Sequence, residues 1–91
     1  MIGEGQDRQK NGDKWYKTAP EQVAMGNRIE NCIIKNCGSQ FSCAVGIWAG
    51  ITAKTMIKNN EIFNRPYTGI SIGWMWGTDP TPCQENIIDG N

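Results

Sequence analysis

The sequence predicts an all-β chain in which short strands wind as about two and a half coils of a parallel β-helix. The first observation is an internal repeat, because residues 27–36 align without a gap with residues 55–64, at a spacing of 28 residues. The second is that each unit contains short apolar segments separated by Asn- and Gly-rich corners, without a helical period. A repeat of this length indicates an array whose units bury their apolar faces against one another.

One unit is clearest in residues 58–77. Asn59 and Asn60 form a corner, because asparagine tolerates the left-handed backbone conformation and can hydrogen-bond its own main chain. Ile62 is the apolar centre of a short strand, and after a turn a second strand alternates over residues 70–72. Strands this short are stable only when neighbouring units stack on them.

Stacking of equivalent strands at about 4.8 Å places like residues over like. The predicted columns are Ile29, Ile57 and Cys83; Asn31, Asn59 and Glu85; and Ile34, Ile62 and Ile88. This register uses a spacing of 28 residues for the first step and 26 for the second, and residues 46–49 align with residues 69–72. We expect the isoleucines to form the interior, and the Asn31 and Asn59 amides to satisfy backbone groups at the corner.

The segment before the repeat is polar and irregular, with Trp15 and Tyr16 as its only large anchors. We therefore divide the chain into an irregular N-terminal segment, residues 1–21, and the coils, residues 22–91. Two other architectures fit less well. A leucine-rich repeat needs leucines, of which the chain has none, and a β-sandwich has alternation without the 28-residue register.

Composition restricts the classes of function. The chain has 91 residues, with nine Lys plus Arg against nine Asp plus Glu, so no basic field favours nucleic acid or an anionic membrane. The absence of histidine excludes histidine catalysis, and four cysteines without a Cys-x-x-Cys spacing argue against a zinc or iron–sulfur site. We expect no metal and no cofactor. The cysteines are expected to be buried thiols, with disulfides as the alternative.

Four segments of the region from residue 22 to residue 91 resemble right-handed parallel β-helix proteins of the pectate-lyase-like superfamily. They are residues 26–31, 46–50, 59–62 and 66–76. Within that superfamily, the run Pro-Tyr-Thr-Gly-Ile-Ser-Ile-Gly-Trp at residues 66–74 resembles bacterial glycoside hydrolase family 141, which is associated with plant and algal polysaccharide breakdown. The resemblance implies a right-handed β-helix, a polysaccharide or oligosaccharide partner, and a secreted or periplasmic parent, although no signal peptide opens the chain.

Such enzymes have many more coils than this chain holds. Exposed strand edges would remain at both ends of so short a stack. We therefore expect the chain to be a fragment of a larger enzyme, or to assemble with further copies.

Aromatic side chains supply the predicted sugar-binding surface. If Ile70 and Ile72 point inward, Ser71 and the equivalent Trp48 point outward, next to a loop that follows the strand. Aromatic faces stack on the apolar C–H faces of sugars, whereas the alternative is that these rings only pack the loop against the coils. The predicted substrate-binding residues are Trp48, Tyr67, Trp74 and Trp76.

Glycoside hydrolysis usually needs two carboxyl groups at a defined separation. Asp79, in the aromatic loop, is the predicted catalytic residue, and the other candidates are Asp7, Glu61 and Asp89.

A polysaccharide lyase would instead need clustered acids for calcium and a reactive basic side chain. Lys54, Lys58 and Arg65 are available, but no acid pair flanks them in the sequence, so hydrolysis is favoured over elimination. The isolated chain is predicted to be inactive, because a cleft in this architecture is built from several coils. The alternative function is a non-catalytic β-helix that binds carbohydrate, acts as an adhesin or is purely structural.

Overall fold

The computed structural model describes residues 1–3, 15–73 and 80–91. These residues are all-β apart from one short helix and one 3₁₀ turn, which confirms the predicted class. The helix α1 spans Trp15–Thr18, and the 3₁₀ turn spans Pro20–Gln22. The strands are β1 Ile2–Gly3, β2 Ala24–Met25, β3 Arg28–Glu30, β4 Ile33–Lys35, β5 Ile47–Gly50, β6 Thr52–Ala53, β7 Met56–Lys58, β8 Glu61–Phe63, β9 Ile70–Gly73 and β10 Ile87–Asp89. Within these ranges, no helix is long and apolar enough to cross a membrane.

The strands form four small sheets within the described part of the chain, with parallel pairing throughout. Two sheets have three strands, in the orders β1–β5–β9 and β3–β7–β10, and two have the strand pairs β2–β6 and β4–β8. Consecutive strands belong to different sheets, and each pairs with the equivalent strand of the next unit. We call β1–β4 the first layer, β5–β8 the second, and β9, β10 and residues 80–91 the third.

The register predicted for the first and second layers is confirmed. Ile29 pairs with Ile57, and Ile34 pairs with Ile62, at the 28-residue spacing of the sequence repeat. The match between β5 and β9 is also confirmed, because Ile47 pairs with Ile70.

The register predicted for the third layer is wrong. Ile88 pairs with Ile57, at a spacing of 31 residues, so Ile34, Ile62 and Ile88 do not form one column. Cys83 does not pair with Ile57 and instead packs against a cluster that contains Trp15. The sequence alone does not decide between the predicted and the observed spacing, because the loop between β9 and β10 differs in length from the equivalent loop of the preceding unit.

Left-handed backbone recurs at one corner in all three layers. Asn31, Asn59 and Gly90 have φ of 55°, 54° and 64° and continue the register of β3, β7 and β10. Glycine and asparagine adopt this conformation at little cost. The predicted partner of Asn59 at this corner, Glu85, lies instead at another left-handed corner, in register with Lys54.

The core lies around the second layer and the segment before the repeat. Ile57 is fully buried, whereas Ile29, Ile34 and Ile62 are half-buried because other layers cover them less completely. The buried apolar residues are Trp15, Tyr16, Ala19, Val23, Ile47, Ala49, Ile51, Ala53 and Ile57.

The described residues of the N-terminal segment, 1–3 and 15–21, are more regular than predicted. Ile2 and Gly3 form β1 and pair with Ala49 and Gly50, although no alternating pattern in the sequence marks so short a strand. Trp15 lies in α1 and belongs to the buried core, so its role as an anchor agrees with the prediction.

Candidate functional site

The candidate site is the outer face of β5 and β9. Ile47 and Ala49 are buried, and Trp48 between them is half-buried on the opposite face. Trp48 pairs in register with Ser71 of β9, so an indole and a hydroxyl group occupy neighbouring positions on this face. Ile72, which was expected in the interior, is 38% exposed because it lies in the third layer, at the edge of the sheet.

Gly50 allows the Trp48 side chain to lie against the strand. Any Cβ atom at Gly50 would collide with the six-membered ring of Trp48. The ring therefore lies over Gly50 and is restricted by the backbone beneath it. A ring held in this way leaves part of its surface accessible and loses little conformational freedom when a ligand stacks on it.

The turn before β9 presents a second aromatic ring. Tyr67 is 69% exposed. A Cβ atom at Gly69 would lie 3.8 Å from Nε of Arg65 and 3.9 Å from its Nη2, so the guanidinium lies beside the start of β9. A phenol and a guanidinium together offer donors and an acceptor to sugar hydroxyl groups.

Three of the five predicted site residues, Trp74, Trp76 and Asp79, lie outside the described residues. Asp7, an alternative acid, lies outside them as well. The structure therefore locates two residues of the predicted surface, Trp48 and Tyr67.

Two of the described acids, Glu85 and Asp89, lie near lysine side chains of the adjacent layer. Lys58 Nζ lies 3.9 Å from Asp89 Oδ2, and Lys54 Nζ lies 3.7 Å from Glu85 Oε2. These exposed pairs contribute about 0–1 kcal/mol each. Glu61 lies in the β4–β8 sheet and Asp89 in the β3–β7–β10 sheet, so the two candidate acids do not share a sheet.

Arg28 and Glu30 form another exposed ion pair, within β3. Arg28 Nη2 donates to both carboxylate oxygens of Glu30, at 2.9 Å and 3.0 Å. This hydrogen bonding, together with the negative charge of Glu30, raises the pKa of Arg28 above its ordinary value. The Arg28 and Glu30 charges are therefore paired with each other within β3, at the edge of the first layer.

The cysteines are free thiols and are more exposed than predicted. Cys32 and Cys43 are exposed, and Cys37 and Cys83 are half-buried. The expectation of buried thiols is therefore wrong for Cys32 and Cys43, which lie outside the core. Across residues 1–3, 15–73 and 80–91, no group of three or more His, Cys, Asp or Glu side chains could hold a metal ion.

Asparagine side chains join the layers at a corner, where Asn60 is buried and Asn91 is exposed. The Asn60 side chain accepts a hydrogen bond from Cys32 N–H at 3.0 Å and donates to Ile29 C=O at 3.0 Å. Asn91 binds the second layer in the same way, because its Oδ1 accepts from Asn60 N–H at 3.1 Å and its Nδ2 donates to Ile57 C=O at 2.8 Å. The residues predicted for this role, Asn31 and Asn59, lie one position before the residues that occupy this corner position, Cys32 and Asn60.

An open recess lies between β9 and β10 at the edge of the third layer. Its volume is about 390 Å³, and its lining includes Ile72, Cys83, Asn86 and Ile88. It lies at the third layer, away from the middle strand β5 that carries Trp48.

Comparisons with protein-family models, with curated proteins and with solved structures found no match.

Proposed function

We propose that the chain forms coils of a right-handed parallel β-helix that binds polysaccharide on the outer face of β5 and β9, as part of a glycoside hydrolase. The observation that carries this proposal is the position of Trp48, with its ring over Gly50 and in register with Ser71. Exposed Tyr67 lies on the turn that enters β9 and offers a second aromatic ring there.

Two features support the coil geometry. Equivalent strands of successive layers pair in parallel, and left-handed corners recur at the same positions between them. Connections between parallel strands of one sheet are right-handed in almost all proteins, which favours a right-handed coil.

A sugar ring fits this face chemically. The indole of Trp48 offers an apolar surface to axial C–H groups, and the Ser71 hydroxyl lies one strand away, at about 4.8 Å between backbones. Neither group carries a charge, which suits a neutral polysaccharide. Arg65, beside Gly69, adds a donor for hydroxyl groups or for an acidic sugar.

The substitution Trp48→Ala is expected to weaken polysaccharide binding about tenfold or more, because truncating a hot-spot aromatic side chain typically costs about 2 kcal/mol or more. Affinity electrophoresis and calorimetry against plant and algal polysaccharides, including fucosylated and xylose-containing ones, measure the change. Phe41→Ala is the matched control, since Phe41 is 67% exposed in a different loop. Equal binding by Trp48→Ala and wild type, or no binding of any glycan by wild type, would contradict the proposal.

The second candidate function is a non-catalytic carbohydrate-binding or adhesin module. It is favoured by the acids Glu85 and Asp89, each of which lies beside a lysine of the adjacent layer. Both functions use the Trp48 surface, so sugar binding does not separate them.

Asp79→Asn separates catalysis from binding alone. In a glycoside hydrolase that contains this chain, we expect the substitution to abolish turnover and retain sugar binding, because an amide cannot transfer the proton that glycosidic cleavage requires. Unchanged hydrolysis of the same polysaccharide would remove Asp79 from the mechanism. The isolated chain is expected to bind without hydrolysis.

A further inference from the structure

We propose that the open edge of the third layer binds the first layer of a second copy of this chain, so that copies stack head to tail. This inference does not depend on sugar binding.

The third layer ends in an unpaired strand edge within the described part of the chain. In β10, Ile87 N–H donates to Thr55 C=O at 2.8 Å, and Asp89 C=O accepts from Asn59 N–H at 3.0 Å. Because successive residues of a parallel strand bond to opposite sides, Ile88 directs its N–H and C=O away from β7. Ile87 and Ile88 are 49% and 47% exposed, so the edge is both apolar and able to hydrogen-bond.

The contact between the second and third layers shows which groups a further layer would need. Asn86 Oδ1 accepts from Thr55 N–H, and Asn86 Nδ2 donates to Thr52 C=O, both at 3.0 Å. The equivalent groups of the third layer are Asn86 N–H and Cys83 C=O, which have no hydrogen-bond partner among the described residues.

The first layer carries the side chain that these groups require. Asn27 is the residue of the first layer that is equivalent to Thr55 and Asn86 in the other two layers. Within the described ranges, the side-chain amide of Asn27 makes no hydrogen bond. At this position the Asn86 side chain binds the preceding layer, whereas the Thr55 hydroxyl bonds that of Thr52 in its own layer. In a second copy stacked on the third layer, Asn27 would accept from Asn86 N–H and donate to Cys83 C=O.

The other columns continue in the same register. Ile29 of the second copy would lie over Ile88, and Ile2 would lie over Ile72, which closes the recess between β9 and β10 with apolar side chains. At the left-handed corner, Asn31 would follow Gly90.

The two ends also differ in charge. Residues 80–91 contain two acids, Glu85 and Asp89, and no base, whereas residues 22–36 contain the bases Arg28 and Lys35 and one acid, Glu30. Stacking would bring Glu30 directly opposite Asp89, a repulsive pair, and Arg28, which lies diagonal to Asp89 and already binds Glu30, would bridge the two carboxylates. Because the two faces differ, the contact is not self-complementary and the stack can grow at either end.

The test is the mass of the full chain by sedimentation velocity, from micromolar to near-millimolar concentration. Wild type is expected to form dimers and longer species as concentration rises. Ile88→Lys charges the third-layer face, and Arg28→Glu places a third acid beside Glu30 and Asp89. Each variant alone is expected to associate at least tenfold more weakly. Both residues are exposed, at 47% for Ile88 and 63% for the Arg28 side chain, and far-UV circular dichroism checks that the variants fold.

An equimolar mixture of the two variants identifies the geometry. Arg28→Glu retains a normal third layer and Ile88→Lys a normal first layer, so the mixture is expected to form dimers and no larger species. Phe41→Lys, which charges an exposed apolar side chain in a loop outside the strand layers, is expected to associate like wild type.

Four results would each overturn the proposal. The first is a folded wild type that stays monomeric at all concentrations, and the second is a face variant that associates as strongly as wild type. The third is a mixture of the two variants that forms no dimers. The fourth is a Phe41→Lys variant whose self-association is weakened as much as that of the face variants. A wild type that stays monomeric would indicate that something other than a second copy covers this edge, such as a further coil of a longer chain.

Discussion

Trp15→Ala is expected to lower the free energy of unfolding by about 3–5 kcal/mol, the typical cost of truncating a buried Trp. Trp15 is 1% exposed and packs in one cluster with Tyr16, Val23 and Ile51. Its ring meets that of Tyr16 edge to face, with centroids 6.1 Å apart. Domains of this kind have a total stability of about 5–15 kcal/mol, so the change removes a large share.

The backbone of Ile51 adds to this cost. Ile51 is a β-branched residue at φ 41°, a strained conformation, and it is fully buried. Removing Trp15 takes away packing that holds this conformation in place. Urea unfolding followed by far-UV circular dichroism measures the loss, with Phe41→Ala as the exposed aromatic control. A loss for Trp15→Ala no larger than that of the control would show that the segment before the repeat does not support the layers.

Asn60→Ala is expected to lower the free energy of unfolding by about 2–3 kcal/mol, because a buried group without its partner costs about 1–3 kcal/mol. Asn60 is 3% exposed, and its side chain binds Cys32 N–H, Ile29 C=O and Asn91 Oδ1. The alanine methyl group can replace none of these bonds. Loss of the amide therefore weakens the contact between the first and second layers and the contact between the second and third.

The matched control for Asn60 is Asn64→Gly. Asn64 Nδ2 donates to Asn36 Oδ1 at 3.2 Å in an exposed pair, and glycine retains the left-handed backbone that Asn64 adopts at φ 53°. We expect a change below about 0.5 kcal/mol at this site, since water replaces the lost bond. Equal losses from Asn60→Ala and Asn64→Gly in the same urea experiment would show that burial of the Asn60 amide is not what stabilises the layers.

The candidate site could be predicted in part. Alternation along β5 identified Trp48 as the outward residue between Ile47 and Ala49, because side chains of a strand point to opposite faces in turn. The position of its ring over Gly50 could not be predicted, since a side-chain rotamer depends on the space left by its neighbours.

The pairing of lysines with acids was missed for a different reason. Lys54 meets Glu85 and Lys58 meets Asp89 across layers whose spacing is 31 residues, and the predicted spacing of 26 placed other residues together.

The sequence by itself determined the all-β class and the pairing of the first two layers. The ungapped 28-residue repeat allows only one register for Ile29 over Ile57, and a slip of one residue would turn every isoleucine to the wrong face. Only the tertiary structure decided the third layer, because apolar residues can align at either of two spacings. The choice is made by polar groups, since Asn86 and Asn91 bind the preceding layer, and Gly90 continues the left-handed corner, only at the spacing of 31 residues.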